Sequence, residues 1–225
     1  LVIVNEFGAI GLDHELITHS SEDVVVEMSI GCLCCTIRGD LVKTLSEATW
    51  RFARDGKPWF DRVLIETTGL ADPAPILHTL MKDEKIARQY RLDGVVTTLD
   101  AVTAMTTMDR QTEAVKQAAV ADRILITKTD IASSEDTENL IRRIRLLNPG
   151  AQITCPVNGE ISPEKLLHVG LYRTENKPED VQNWLNAEAV ADGHGHGHDH
   201  DHHGHDHHDH HHDINRHDDH IAPSA

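Results

Sequence analysis

Three short apolar runs constrain the fold of this chain more than any other feature. Leu1-Val2-Ile3-Val4, Val24-Val25-Val26 and Arg62-Val63-Leu64-Ile65 are continuous rather than alternating, and rich in β-branched residues. A strand with one face in water shows a polar residue at every second position, so continuous runs fit strands buried on both faces of a parallel sheet. Parallel neighbours need a crossover, and residues 40–54 supply one. There Leu41, Leu45, Ala48 and Phe52 recur at spacings of four, three and four on one helical face, and Gly56 with Pro58 ends the segment. Residues 94–99 and 123–127 read as further strands, 135–147 as a helix with Leu140, Ile141, Ile144 and Leu147 inward, and 151–155 as a last short strand. Helices around 163–168 and 178–189 follow. This alternation predicts an α/β fold, doubly wound around a mostly parallel sheet.

At 225 residues and 39% hydrophobic content, one substantial core can be buried. No run has the apolar length to cross a bilayer, and the opening segment lacks a basic leader and a cleavage site; a soluble, cytoplasmic protein with no membrane partner is expected. The first residue is not Met and already reads as part of a buried strand, so a natural N-terminus further upstream is expected. Net charge is −16, with −7 in residues 192–225 and −9 in the rest. Phosphate-backbone binding requires clustered Lys and Arg. The one basic cluster, Arg142-Arg143 with Arg145, reads as the solvent face of a helix, which argues against a nucleic-acid partner.

Two features point to metal. Cys32, Cys34 and Cys35 stand within one short turn after Gly31, while the fourth cysteine, Cys155, is distant. Disulfide scaffolds spread an even set of cysteines along a small secreted chain, so this spacing fits a reducing compartment. Clustered thiolates suit zinc or copper(I), zinc needing a further donor such as His, Asp or Glu. Three partly buried free thiols are the plainer alternative. Further on, fourteen of the eighteen histidines fall between Gly193 and His220, beginning with His194, His196, His198, His200, His202 and His203. Almost no apolar residue accompanies them, so a disordered tail is expected. Interleaving with Asp and Gly favours a native metal-binding linker over a purification tag; imidazole and carboxylate match zinc, nickel and cobalt without choosing among them.

In a doubly wound fold, ligands sit outside the carboxyl ends of the strands. Val63-Leu64-Ile65-Glu66-Thr67-Thr68-Gly69 has the form of a Walker B strand with its switch, in which Glu66 would hold Mg²⁺ and the Gly69 amide would approach a γ-phosphate. A structural acid at the strand end is an equal alternative. Leu125-Ile126-Thr127-Lys128-Thr129-Asp130 has the form of the guanine-recognition motif, with Thr127 where Asn is usual. A carboxylate at Asp130 accepts two hydrogen bonds from the guanine edge, and the stem of Lys128 can lie over the base. Asp100 sits at another strand end, where an N-cap for a helix starting near Ala101 is one reading. Asn158-Gly159 occupies the place of the loop that backs the base in GTPases, although a plain turn explains the dipeptide slightly better.

Taken together, these segments resemble the CobW-type branch of the metallochaperone GTPases, relatives of HypB and UreG. The resemblance rests on Val4-Asn5-Glu6-Phe7-Gly8 with Gly11-Leu12-Asp13, Gly31-Cys32-Leu33-Cys34-Cys35, Glu66-Thr67-Thr68-Gly69-Leu70-Ala71-Asp72-Pro73, Leu99-Asp100-Ala101 and Thr127-Lys128-Thr129-Asp130, in family order. It implies a P-loop GTPase domain over residues 1–191, a metal-binding linker over 192–215 and the start of a further domain at 216–225. It also implies a GTPase using GTP, Mg²⁺ and zinc, which carries metal at the Cys-x-Cys-Cys motif to a client metalloprotein. Glu66 and Gly69 then serve hydrolysis, Thr127, Lys128, Asp130 and Asn158 the guanine nucleotide, and Cys32, Cys34, Cys35, Glu6 and the tail histidines the metal.

Two departures qualify the resemblance. No Gly-x-x-x-x-Gly-Lys-[Ser/Thr] occurs in the sequence. The family carries that loop a few tens of residues before the motif at Asn5, so the chain as written is expected to bind GTP weakly and hydrolyse it negligibly, the intact parent being the enzyme. Ala9 stands where many relatives have Glu; the metal site is then completed by Glu6, a client residue or the tail. The alternatives are a passive metal buffer with a degenerate nucleotide domain, and a cobalt, nickel or iron insertase of the same family.

Overall fold

A computed structural model describes residues 1–6, 25–29, 35–167, 170 and 172–185, without the side chains of 5, 6, 25–29, 35–38 and 176. The α/β order read from the sequence is present. Strand β1 (Val2–Glu6) is flanked in parallel by β2 (Val25–Ser29) and β5 (Leu64–Thr67), with Val4 opposite Glu27 on one side and Glu66 on the other. A second parallel set has β7 (Arg123–Thr127) between β6 (Val96–Asp100) and β8 (Gln152–Thr154).

Among the described residues the parallel ladder is two three-stranded pieces rather than one sheet, with β5 and β6 at their ends. Burial follows this split. The central strand β7 buries Ile124, Leu125 and Ile126 in succession, as a continuous apolar run should, whereas Leu64 on β5 is 50% exposed and Val96 on β6 is 41% exposed. Between these two edges lies a cavity of about 640 Å³ lined by Val4, Glu66, Gly69, Val96, Thr98 and Gln117.

The crossover helix α1 (Cys35–Arg51) buries Leu41, Leu45 and Ala48 against Ile3, Ile76 and Ile86. Fully burying one such Leu or Ile contributes about 1.5–3 kcal/mol. The helix stops three residues before the predicted Arg54. Ala53–Arg54 (β3) and Lys57–Pro58 (β4) form a hairpin through Asp55 and Gly56, whose φ values are 53° and 75°. Asp-Gly is a strong signal for that mirror-image turn, and here it outweighs the helical spacing of Phe52. Strand β5 starts at Leu64 rather than Arg62, where the pairing with β1 begins at Val2, and the Arg62 guanidinium pairs with Asp93 at 2.5 Å. Residues 163–165 make a single 3-10 turn in place of the expected helix.

Three helices were not anticipated, α2 (Pro73–Lys82), α3 (Glu84–Gln89) and α5 (Thr112–Val120), whereas α4 (Ala104–Arg110) is the helix expected near Ala101, starting three residues later. Asp72 opens α2, accepting from the Ala74 amide ahead of Pro73, and Asp83 opens α3, accepting from the amides of Lys85 and Ile86. Helix α6 (Ser134–Leu147) buries Leu140 and Ile144 as predicted, with Ile141 and Leu147 partly buried. Its arginines are not a free basic face: Arg143 bonds Asp109 and the Met105 carbonyl, and Arg145 bonds the Ala151 carbonyl, while Arg142 stays exposed beside Asn139. Residues 179–185 form a last helical segment, α7, whose Val181 and Leu185 pack with Ala74, Leu77, Ala119 and Val120. Among the described residues no helix is long and apolar enough to cross a membrane.

Candidate functional site

All six parallel strands deliver their carboxyl ends to loops that carry the motifs. In the first set, Glu6 at the end of β1 is the register partner of Ser29 at the end of β2, and Cys35 is the first residue of α1. In sequence the cysteine motif falls between β2 and α1. Cys32 and Cys34 lie outside the described residues, as do the side chains of Cys35 and Glu6, and His194, His196, His198, His200, His202 and His203. Among the described residues no three His, Cys, Asp or Glu side chains converge.

Glu66, two residues beyond Leu64 on β5, is exposed and lines the cavity together with Gly69. A Cβ added at Gly69 would meet nothing within 4 Å, so packing does not require glycine there and the space beside its backbone is open. An exposed carboxylate at a strand end, facing open space beside a glycine, is a donor set that fits Mg²⁺ and phosphate.

In the second set the end of β7 is locked onto the end of β6. The Ala101 amide donates to the Thr127 carbonyl at 2.9 Å, and the Thr127 hydroxyl donates to the Leu99 carbonyl at 3.4 Å. Lys128 takes a left-handed backbone, φ 58°, and its Nζ reaches Asp100 Oδ2 at 2.6 Å. That hydrogen bond, with further help from the Val102 amide, holds the Asp100 carboxyl below its usual range. Asp100 does not cap the next helix, which begins at Ala104 after Thr103; its Oδ1 instead accepts from Val102 N at 2.8 Å within the preceding turn. The motif's carboxylate, Asp130, is exposed in the turn that follows β7. Asn158 and Gly159 form a tight turn, φ 53° and 74°, closed by the Glu160 amide on the Val157 carbonyl. The plain-turn reading of that dipeptide therefore describes its backbone. Cys155, one residue past β8, has its thiol pushed up by partial burial, which makes it a poor thiolate at neutral pH.

Sequence reasoning missed two residues of α5. Gln117 Nε2 donates to the carbonyls of Thr68, Gly69 and Ala71 at 3.3, 3.2 and 2.8 Å, and Lys116 Nζ lies 2.5 Å from Asp72 Oδ2. The loop after Glu66 is thus held along its whole length by one helix. The Asp72-Pro73 cap was a readable signal for α2, but nothing local in 112–120 announces which loop that helix faces.

The profile of the CobW/HypB/UreG nucleotide-binding domain matches residues 1–155. The zinc chaperone YjiA of Escherichia coli is 38% identical over 160 residues, covering 71% of this chain and 49% of YjiA. The zinc-regulated GTPase metalloprotein activator 1 of Schizosaccharomyces pombe is 29% identical over 182 residues, covering 78% of this chain and 43% of the relative. The chain spans about half the length of the curated relatives it matches. Its fold is similar to the crystal structure of Zn(II)-bound YjiA GTPase from E. coli, with a TM-score of 0.52 and 28% identity over 76% of this chain and 54% of that one.

Proposed function

As the chain belongs to the CobW/HypB/UreG nucleotide-binding family, we propose that it is part of a GTP-dependent metallochaperone whose cargo is zinc, held at Cys32, Cys34 and Cys35 and passed to a client metalloprotein. The observation that carries this reading is the lock between the ends of β6 and β7. Asp100 and Lys128 hold the turn that presents Asp130 in a backbone conformation a lysine rarely adopts, and such strain persists only where surrounding contacts enforce it. In this reading Asp130 accepts from the guanine N1–H and exocyclic amine, the Lys128 stem covers the base beside Thr127, and Asn158 backs it. Glu66 orients the Mg²⁺ shell, and Gly69 offers its amide to the γ-phosphate. Bound Mg²⁺ would supply charge neutralisation to the phosphates. Water attacks the γ-phosphorus, giving GDP and inorganic phosphate. Zinc as cargo has its support in the similarity to a protein called a zinc chaperone and in the soft thiolate set. Beside it, the histidine-rich segment acts as a pool of weaker sites, since its imidazoles coordinate only when neutral.

The guanine assignment is tested in the full-length protein by competitive nucleotide binding. Asp130→Asn puts a donor where an acceptor is needed, which should weaken GTP by about 2–4 kcal/mol. Xanthosine triphosphate, with an oxygen in place of the amine, should bind the variant better than it binds the unmutated protein. Equal GTP affinity in the two proteins, or a preference for ATP in the unmutated one, would show that 127–130 is only a strand end.

A further inference from the structure

We propose that Gln117 and Lys116 are positioning residues that carry the state of the Gly69 loop to Trp184, on the helical segment that leads to the histidine-rich region. The inference rests on the proposed role of Gly69 at the γ-phosphate. A trans peptide points its C=O and N–H in opposite directions. Gln117 holds the Thr68 carbonyl, so it also sets the direction of the Gly69 N–H, away from α5. The same amide group holds the carbonyls of Gly69 and Ala71, and with two hydrogens it shares them among three acceptors. Any rotation of the 68–69 peptide toward a phosphate must therefore be made against Gln117, or be released by it.

The neighbouring Lys116 has two partners on opposite sides. Its Nζ pairs with Asp72 Oδ2 at 2.5 Å, at the far end of the same loop, and lies 4.6 Å from the centroid of the Trp184 ring. Asp72 in turn opens α2 through its other oxygen, so the loop and the helix start move together. A half-exposed ion pair adds little stability, which leaves its geometry as the informative part. A cation within about 6 Å of an indole face is attracted to it, and that attraction changes steeply with position. Trp184 packs in the cluster that joins α2, α5 and α7, and stands ten residues before His194. Movement at Gly69 is thus transmitted through Asp72 and Lys116 to Trp184, ten residues before the histidine-rich segment begins.

The experiment uses the full-length protein labelled with fluorotryptophan, whose three indoles in this stretch, Trp50, Trp59 and Trp184, give separate fluorine resonances, with Trp184 assigned by Trp184→Phe. The Trp184 resonance should move when GDP is exchanged for a non-hydrolysable GTP analogue. Lys116→Met should abolish that movement while GTP affinity stays within about threefold, and Lys116→Arg should keep it. Asp72→Asn, which retains a capping oxygen but breaks the ion pair, should act like Lys116→Met. Gln117→Leu should lower kcat about tenfold or more with KM within about threefold, the mark of lost positioning. A protein that binds GTP without moving Trp184, or a full response in Lys116→Met and Asp72→Asn, overturns the relay and leaves the GTPase reading standing. Absence of GTP binding in the unmutated protein overturns both.

Discussion

Lys128 combines a left-handed backbone, φ 58°, with an ion pair to Asp100, and each constraint needs the other. The side chain reaches across from the end of β7 to the end of β6, and the carboxylate it meets is already turned by the Val102 amide. The Asp100 carboxyl is held below its usual range chiefly by the Lys128 hydrogen bond, so its ionised form stabilises the fold. That contribution is complete above the unfolded value of about 3.9 and is lost as pH falls through the lower folded value. Asp100→Asn should therefore lower stability by a constant amount from pH 7 to about pH 5, with the difference from the unmutated protein shrinking on further acidification. Denaturant titrations across that range measure it; a difference that grew toward acid would mean the carboxyl is not ionised in the fold. The place of Thr127, Lys128 and Asp130 at a strand end was legible, because they follow a continuous buried run. The lock on Asp100 was not, since it depends on strands twenty-three residues apart in sequence becoming neighbours.

Among the elements, strand and helix order was legible where apolar runs were long and continuous, as in β1, β7 and α6. It failed where short-range chemistry competed with periodicity. Asp55-Gly56 turned the end of the expected first helix into a hairpin, and α2, α3 and α5 are helices of six to ten residues, too short to sustain a helical period. Their stability comes instead from specific polar staples. Asn148, 1% exposed, donates through Nδ2 to the carbonyls of Ala118, Ala119 and Ala121, the unpaired acceptors at the end of α5. Asn148→Leu keeps the branched shape but takes this donor from the Ala118 and Ala119 carbonyls, Ala121 still being held by Lys177, and should cost about 2–4 kcal/mol in urea unfolding. A loss under about 0.5 kcal/mol would show that α5 ends independently of α6. Lys177 repeats the device one layer outward, donating to the Ala121 carbonyl and to Asp122, whose other oxygen accepts from the Val95 amide at the entry to β6. Burial, with Asp122 nearby, also pushes the Tyr172 hydroxyl well above its ordinary value, so this corner stays neutral at the ring and paired at the lysine.

For the whole molecule, the doubly wound α/β reading holds in strand direction and in the placement of the motifs at carboxyl ends, while the hydrogen-bonded ladder divides between β5 and β6. Six separate runs announce six parallel strands, but not which of them pair. The exposed faces of Leu64 and Val96 mark where that information ends. The cysteine motif follows β2 in sequence and the Glu66–Asp72 loop follows β5, both strands flanking β1, and α5 bridges from that loop to the segment preceding the histidines. In the proposed GTP-dependent metallochaperone, nucleotide state and metal affinity would form one coupled equilibrium. Linkage then requires that GTP and GDP change zinc affinity unequally, by about fivefold or more if the coupling is of ordinary size. The direct measurement is zinc affinity of the full-length protein against a competing chromophoric chelator, with GDP or a non-hydrolysable GTP analogue bound, beside Cys34→Ala. The account predicts a tight site whose affinity differs between the two nucleotide states and which Cys34→Ala removes. Identical zinc affinity in both states, or a tight site untouched by Cys34→Ala, would contradict it.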